Sequence, residues 1–353
     1  MREVLKVSIL QINIVDNLNK KIKVSFKIGD PAMFHASFRL LLAFTAIAAA
    51  MTLPAAAQDQ WPTQTIKLVV PYAAGGTTDL IARRLGERLG RELGQTVVVE
   101  NRPGASTNVG ASAVANAKPD GHTLLLGSIF QLLNPAFGPD PGFDLLTKLE
   151  PVSLVAEMPF VLAANPKTTY SNGRELVAAA KADPKKLSVS HAQLDVSLEL
   201  LNNKAGMELL LVPYKGGGPA TIDAISGQVD MVYALVPVLL PHIQAGKLKA
   251  LAVTSSKRFA GLPNAPTFAE SGVGFDMIMW YGVFTPAGTP KSIVDRLARA
   301  TQKIMTSKEM VEWIRPAGAD PASNTPEEFK AQIRKESAYW QSVAKSMPQL
   351  LQK

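Results

Sequence analysis

The chain has 353 residues, no cysteine and a formal net charge of +8. The absence of cysteine excludes disulfide bonds and lipid attachment through an N-terminal cysteine. No basic cluster is interleaved with aromatic residues, so the charge does not mark a nucleic-acid partner.

The front of the chain reads as a leader. Met33 to Arg39 is a short basic lead, Leu40 to Met51 is apolar, and Ala55-Ala56-Ala57 precedes Gln58 in the order of a secretory signal peptide. The apolar core is shorter than the ~20 residues of a membrane span, although an uncleaved anchor is the alternative. A signal peptide starts at the true N-terminus, so translation is expected to begin at Met33, with residues 1–32 a mis-called start and 33–57 removed on export. The leader holds seven Lys/Arg and three Asp/Glu, which leaves the mature chain, from Gln58, at +4. That mild charge suits a small anion better than a polyanion.

In the mature chain, Ile66 to Val70 is an apolar β-branched run and predicts a buried strand that Pro71 ends. Gly75-Gly76 permits a sharp turn, and Thr77, Thr78 or Asp79 is expected to cap a helix reaching Leu93, with Leu80, Ile81 and Leu85 on its apolar face and Gly94 closing it. A strand, a glycine turn and a helix start aim free N–H groups and a positive dipole end at one point, which suits an anion. An ordinary α/β crossover has the same pattern. Thr96 to Glu100 predicts a second buried strand, Val109 to Ala117 a small-residue helix, and Thr123 to Leu126 a third strand ending in Gly127-Ser128. This β-α-β-α-β rhythm implies a parallel sheet, with ligands at the carboxyl ends of its strands.

Residues 131–150 look irregular. Val152 to Val155 and Phe160 to Ala163 are apolar, with Glu157-Met158-Pro159 between them, and predict a first crossing into a second domain. There the expected elements are a helix at 176–182, a strand at 187–190, a helix at 196–204, a strand at 209–212 and a glycine turn at Gly216-Gly217-Gly218. A helix at 220–226 follows, with Pro219 in its first position. Then come a strand at 229–235, a helical turn at 238–244 and a strand at 248–254. Phe275 to Phe284 is the extended return. Ile293, Leu297, Ala300 and Ile304 share one helix face, and Thr325-Pro326-Glu327-Glu328 is a capping box opening a last helix whose buried stripe is Phe329, Ile333, Trp340 and Val343.

Two glycine turns, one per domain, could oppose helix N-termini across a cleft and hold a ligand charged at both ends; a tight loop is the plainer reading of the second. Catalytic chemistry is poorly represented. His122, His191 and His242 are far apart, and no G-x-S-x-G, Walker or dinucleotide-binding motif occurs. Asp79 and Asp230 could pair as carboxylates, but a helix cap and a sheet-end residue account for them more simply. No enzyme activity, cofactor or metal is expected.

Several stretches in fixed order carry a family resemblance. They include Trp61-Pro62, Ile66 to Pro71, Gly75 to Asp79, Val97 to Ala105, Pro119 to Leu124, Val212 to Gly216, Gly227 to Asp230, Pro241 to Leu248 and Phe284 to Pro290. In these the chain resembles the solute-binding receptors of tripartite tricarboxylate transporters, the TctC or Bug type. The resemblance implies a periplasmic two-domain α/β periplasmic-binding-protein fold (Venus flytrap, type II) with two interdomain crossovers. Domain 1 would be 58–155 with 280–353, and domain 2 would be 156–279. It implies a monomer that captures a small carboxylate, either a di- or tricarboxylate or an aromatic acid, and hands it to membrane transporter subunits. A ligand-binding sensor or adaptor acting through a kinase is the alternative, with an enzyme on the same scaffold a third reading that the missing acid/base pairs argue against. By position, the resemblance assigns ligand contacts to Tyr72, Ala73, Gly75, Gly76, Thr77 and Asp79, to Ser106 and Asn108, to Ser128, and to Tyr214 and Lys215.

The chain departs from the family pattern twice. The Gly/Ser-rich loop expected after Ser188 reads Ser190-His191-Ala192-Gln193-Leu194-Asp195-Val196-Ser197, so Ser190 and His191 join the expected wall and bulkier residues shrink or repolarise it. An aspartate often found after Gln-Val-Asp is replaced by Tyr233-Ala234-Leu235, which argues against an amino-acid ligand.

Overall fold

The computed structural model describes residues 9–15, 21–27, 61–138, 144–192 and 194–351. β1 (Ile9–Val15) and β2 (Lys21–Lys27) pair antiparallel within a unit, 1–60, distinct from 61–353. The proposed start at Met33 and the signal peptide at 33–57 lie outside the described residues.

The larger unit begins with β3 (Ile66–Val70), α1 (Thr77–Leu93), β4 (Val97–Asn101), α2 (Asn108–Ala115) and β5 (Thr123–Ser128). β3 lies between β4 and β5, parallel to both, as the alternating rhythm predicts. β4 is a sheet edge and so is only half-buried, with Val98 exposed, whereas its apolar run predicted full burial. Gly94 closes α1 in the left-handed conformation, as expected.

The stretch read as irregular holds α3 (Phe130–Phe137) and α4 (Leu145–Lys148). Pro135 hid α3. It lies inside the helix and removes one intrahelical donor, yet the helix continues past it and Gly138 N closes the last turn on Asn134 O at 2.8 Å.

β6 (Leu149–Ala164) is a single strand of 16 residues, not two runs interrupted at Glu157-Met158-Pro159. It changes partner where the break was expected. Residues 149–159 pair with β11 (Ile278–Pro286), and 160–164 lie between β9 (Met231–Leu235) and β10 (Lys249–Val253). Pro159, which has no N–H to give a ladder, occupies that junction. Beyond it come α5 (Gly173–Ala182), β7 (Ser188–His191), α6 (Asp195–Ala205), β8 (Leu210–Pro213), α7 (Gly217–Ser226) and α8 (Val236–Gln244). β7 lies between β8 and β9, parallel to both, and β9 joins β6 antiparallel. The sheet order is therefore β4-β3-β5-β11-β6-β9-β7-β8, two parallel groups joined through antiparallel β11 and β6.

The chain returns through β11 beside β6. Thr254, fully buried, ties the two crossings together: its Oγ1 accepts from Phe160 N (2.9 Å) and donates to Met277 O (2.6 Å). α9 (Lys291–Met305), α10 (Lys308–Ile314), β12 (Asp320–Pro321) and α11 (Pro326–Ser346) complete the chain. The predicted apolar face of α9 is buried, and Thr325 and Glu328 form the predicted capping box at α11. Phe329 of α11 packs edge-on against Trp280 at 5.4 Å and against Phe284 at 5.2 Å. Each aromatic pair adds about 0.5–1.5 kcal/mol beyond area burial. Gly282 makes room for this contact, because a Cβ there would collide with the Phe329 ring.

Candidate functional site

The carboxyl ends of β3 and β5 and the loop after β4 converge as the parallel sheet requires. The turn after β3 divides its work between two glycines. Gly75 adopts φ +87°, a left-handed value that L side chains rarely take. Gly76 is the N-cap of α1 at φ −82° and ψ 172°, so neither Thr77, Thr78 nor Asp79 is the cap. A Cβ on Gly76 would meet only Ala73 O, at 3.9 Å, leaving its face open for close approach.

Asp79 was expected to touch ligand. It is 3 % exposed and braces the turn instead. Its Oδ2 accepts from Gly75 N (3.0 Å) and Arg83 Nε (2.9 Å), and Oδ1 accepts from Asn101 Nδ2 (3.0 Å). The Arg83 guanidinium holds its carboxyl below the usual carboxylate range, with burial opposing. Asp79 therefore removes Gly75 N from the donor set. The amides of Gly76, Thr77, Thr78 and Asp79 have no acceptor among the described residues. Leu80, expected on the apolar face, is 54 % exposed, because at 3.6 residues per turn it lies about 140° round the helix from Leu85. Ala73 lies on the exposed lip of the turn.

Behind the turn is a buried polar chain. Tyr72 OH and Ser128 Oγ are 2.7 Å apart, Ser128 N donates to Gln131 Oε1 (2.5 Å), and Gln131 Nε2 donates to Thr107 Oγ1 (2.6 Å). Asn134 Nδ2 donates to Ser106 O. Thr78 Oγ1 donates to Tyr281 OH (2.8 Å), and Tyr281 stands edge-on to Tyr72 at 6.2 Å. Burial pushes the Tyr72 hydroxyl well up, and that of Tyr281 up to about 12, so both stay protonated donors. Ala105, Ser106 and Thr107 all have positive φ, which presents Ser106 outward and tucks Thr107 inward. Asn108, half-buried, is the first residue of α2. Sequence reasoning missed Thr78, Thr107, Gln131, Asn134 and Tyr281. Gln131 and Asn134, three apart in an otherwise apolar stretch, were the available signal.

In the second parallel group the expected residues divide. Ser190 was expected in the wall of the site; it is fully buried and its Oγ donates to Ala220 O (2.9 Å) and Met231 O (3.1 Å), so its hydroxyl tethers β7. His191 is also fully buried. Its Nδ1 accepts from Leu194 N (3.3 Å), which places the proton on Nε2, 3.5 Å from Asp195 Oδ1 and without a hydrogen-bond partner among the described residues. Burial lowers the imidazole's affinity for a second proton, with the Asp195 charge opposing. Tyr214 donates its hydroxyl to Asp223 Oδ2. Lys215 is exposed, without an ion pair among the described residues. Gly216 caps α7 and places Pro219 third in the helix, not first. The amides of Gly216, Gly217 and Gly218 have no acceptor among the described residues. Asp230 clamps Ser188 through N (2.8 Å) and Oγ (2.7 Å), a sheet-end role.

A small cleft of about 60 Å³, partly open to solvent, lies where α3, the start of α6 and the returning chain meet. Phe130, Leu133 and Phe137 form one wall, Leu194 and Val196 the other, and Met277 the floor. Neither glycine turn lines it. Asn134, which lines the pocket, also joins the buried polar chain. Among the described residues, no cluster of acidic or histidine side chains could hold a metal, and no helix is long and apolar enough to cross a membrane.

Two parallel α/β groups joined by paired crossing strands, with donors at the carboxyl ends, define a periplasmic solute-binding receptor. The family model described as "Tripartite tricarboxylate transporter family receptor" matches residues 81–348, and the chain belongs to that family. BugT of Bordetella pertussis is 36 % identical over 294 residues, covering 81 % of this chain and 90 % of BugT. A structure from R. palustris with adipate is 34 % identical with TM-score 0.72, covering 81 % of this chain and 97 % of that one. MatC from Rhodopseudomonas palustris with bound malate is 30 % identical with TM-score 0.68, covering 80 % and 99 %. The two-domain α/β fold expected from sequence is that of these receptors.

Proposed function

We propose that this protein is an exported receptor that captures a small carboxylate and delivers it, as a monomer, to the membrane subunits of a tripartite transporter. The observation that carries the reading is the set of uncommitted amides from Gly76 to Asp79 at the start of α1, backed by the hydroxyls of Tyr72, Thr78 and Ser128. Amide donors and a helix dipole hold a carboxylate without a formal countercharge. The adipate and malate of the two R. palustris structures are of the same chemical class. Ser106, Asn108 and Lys215, with the amides of Gly216 to Gly218, complete the binding set when the domains close. Those domains are 58–155 with 280–353, and 156–279, a division supported by the change of partners in β6 at Pro159. The leader at 33–57 supports export to the periplasm.

A thermal-shift screen of C4–C8 acids tests this. At a hundredfold excess over Kd, binding adds about 2.7 kcal/mol. At roughly 2–4 °C per kcal/mol for chains of this order, an authentic ligand raises Tm by about 5–11 °C. An unmoved Tm across the whole panel refutes carboxylate capture.

A further inference from the structure

The loop between β4 and α2 holds a conformation that its own residues do not favour. Gly104, Ala105, Ser106 and Thr107 have φ +129°, +43°, +50° and +79°. A glycine takes a positive φ freely, but L side chains resist it, and three in a row, the last of them β-branched, need support from outside. The start of α2 takes three of the four loop carbonyls. Asn108 N donates to Ala105 O (3.0 Å), Val109 N to Gly104 O (3.4 Å) and Ala111 N to Thr107 O (3.3 Å). The fourth, Ser106 O, is taken by Asn134 Nδ2 of α3. Gln131, one turn earlier on α3, donates from Nε2 to Thr107 Oγ1 at 2.6 Å and accepts from Ser128 N on Oε1. Among the described residues, every side chain that bonds 104–107 from elsewhere comes from α3.

The helix can bear that load because it is held on another side. Gln131 and Asn134 lie about 60° apart around α3. Phe130, Leu133 and Phe137 line the cleft, and Phe137 stands edge-on to Trp340 of α11 at 6.2 Å. We infer that Gln131 and Asn134 are positioning residues of the binding site: they hold the loop 104–107 in its left-handed course, so that Ser106 and Asn108 stand ready for the guest, and they tie it to Ser128 at the end of β5. The guest in this statement rests on the carboxylate-receptor reading; the hold on the loop does not need one. Backbone strain at a ligand clamp persists where the surroundings over-determine it, and a loop arranged in advance spares the guest the cost of ordering it.

Hydrogen exchange of the ligand-free protein and calorimetric titration with adipate, or with malate where that binds tighter, test this together. Asn134→Ala changes a half-buried position to a better helix former, so Tm should stay within about 2 °C of wild type. The Asn108 and Val109 amides, which close the loop, are expected to exchange at least about fivefold faster, the equivalent of one net hydrogen bond, and the acid to bind at least about fivefold weaker. Thr107→Val keeps the side chain's shape but takes the hydroxyl from Gln131, and should give the same two changes; Thr107→Ser returns the hydroxyl and should restore both. Wild-type exchange in either Asn134→Ala or Thr107→Val overturns the inference, whatever the protein binds. Exchange that quickens equally in β3 and β5 marks a loss of global stability and also overturns it. Faster loop exchange with undiminished affinity puts the loop outside the site and overturns it as well, leaving the carboxylate reading intact. A wild-type protein that takes no acid of the C4–C8 panel overturns the carboxylate reading, and exchange alone then decides the hold of α3 on the loop.

Discussion

Gly76→Val separates the two tasks of the first turn. At φ −82° and ψ 172° the backbone suits a β-branched residue, and the added Cβ would meet no protein atom closer than Ala73 O at 3.9 Å. Replacing an N-cap glycine by a poor cap costs about 0.5–1 kcal/mol. Reduced freedom of the unfolded chain returns about 0.4–1 kcal/mol. The net change should lie within about 0.5 kcal/mol, or roughly 2 °C in Tm. Binding should suffer far more. The isopropyl group stands over the amides at the start of α1, and two charge-assisted hydrogen bonds lost at about 1.5–3 kcal/mol each amount to at least a hundredfold in Kd. Gly75→Val is the counterpart. At φ +87° it imposes a strain of about 1–2 kcal/mol and lowers Tm whatever the ligand. Calorimetry with the tightest acid of the wild-type panel, alongside thermal melts, reads both effects. A Gly76→Val protein that binds as wild type removes this turn from the site, and one that fails to fold refutes the open space assigned to its Cβ.

Asp79→Ala deprives Gly75 N and Asn101 Nδ2 of an acceptor and should cost about 2–3 kcal/mol in urea unfolding, discounted because Arg83 is exposed and Gly75 can be rehydrated; a change under 0.5 kcal/mol contradicts the bracing role. Thr254→Val strands Phe160 N and Met277 O between the crossings and should destabilise by about 1–3 kcal/mol, whereas Ser255→Ala next to it should be nearly neutral. The half-buried carboxyls Glu157 and Glu336 both titrate above the ordinary 4.5, driven first by burial. The folded state then holds protons the unfolded chain has lost, so their contribution is full below pH 4.5 and declines as pH rises through the raised values. Glu336→Gln should flatten that decline in a Tm profile from pH 4 to 8, and an unaltered slope would refute the assignment.

Much of the architecture was legible because it follows local rules. The β-branched run at 66–70 could only be a strand, Gly94 could only close a helix, and Thr325 with Glu328 announced their helix in four residues. What escaped was set by tertiary context. Pro135 suggested a loop, yet the helix runs on through it. Pro159 suggested a strand end, yet marks where one strand exchanges neighbours, and only pairing reveals that. The site divided along the same line. Glycines read for their backbone freedom were placed rightly at the mouth of the sheet. Asp79, Ser190 and Tyr214 were selected by position in a motif, and their polar atoms turned out to be occupied within the protein. Which partner satisfies a buried oxygen depends on residues distant in sequence, as Thr78 and Tyr281 illustrate.

The unbroken course of β6 sets a condition on every change the molecule can accommodate. Side chains along a strand point alternately up and down, so inserting or deleting one residue near Pro159 would invert the orientation of everything from Phe160 to Ala164. Phe160, stacked on Tyr233 at 5.3 Å, would then face the opposite layer. The two parallel groups thus share a common phase: lengthening can be absorbed in the loops, but along this spine a single extra residue needs a bulge, as at Val152 and Val155 opposite β11.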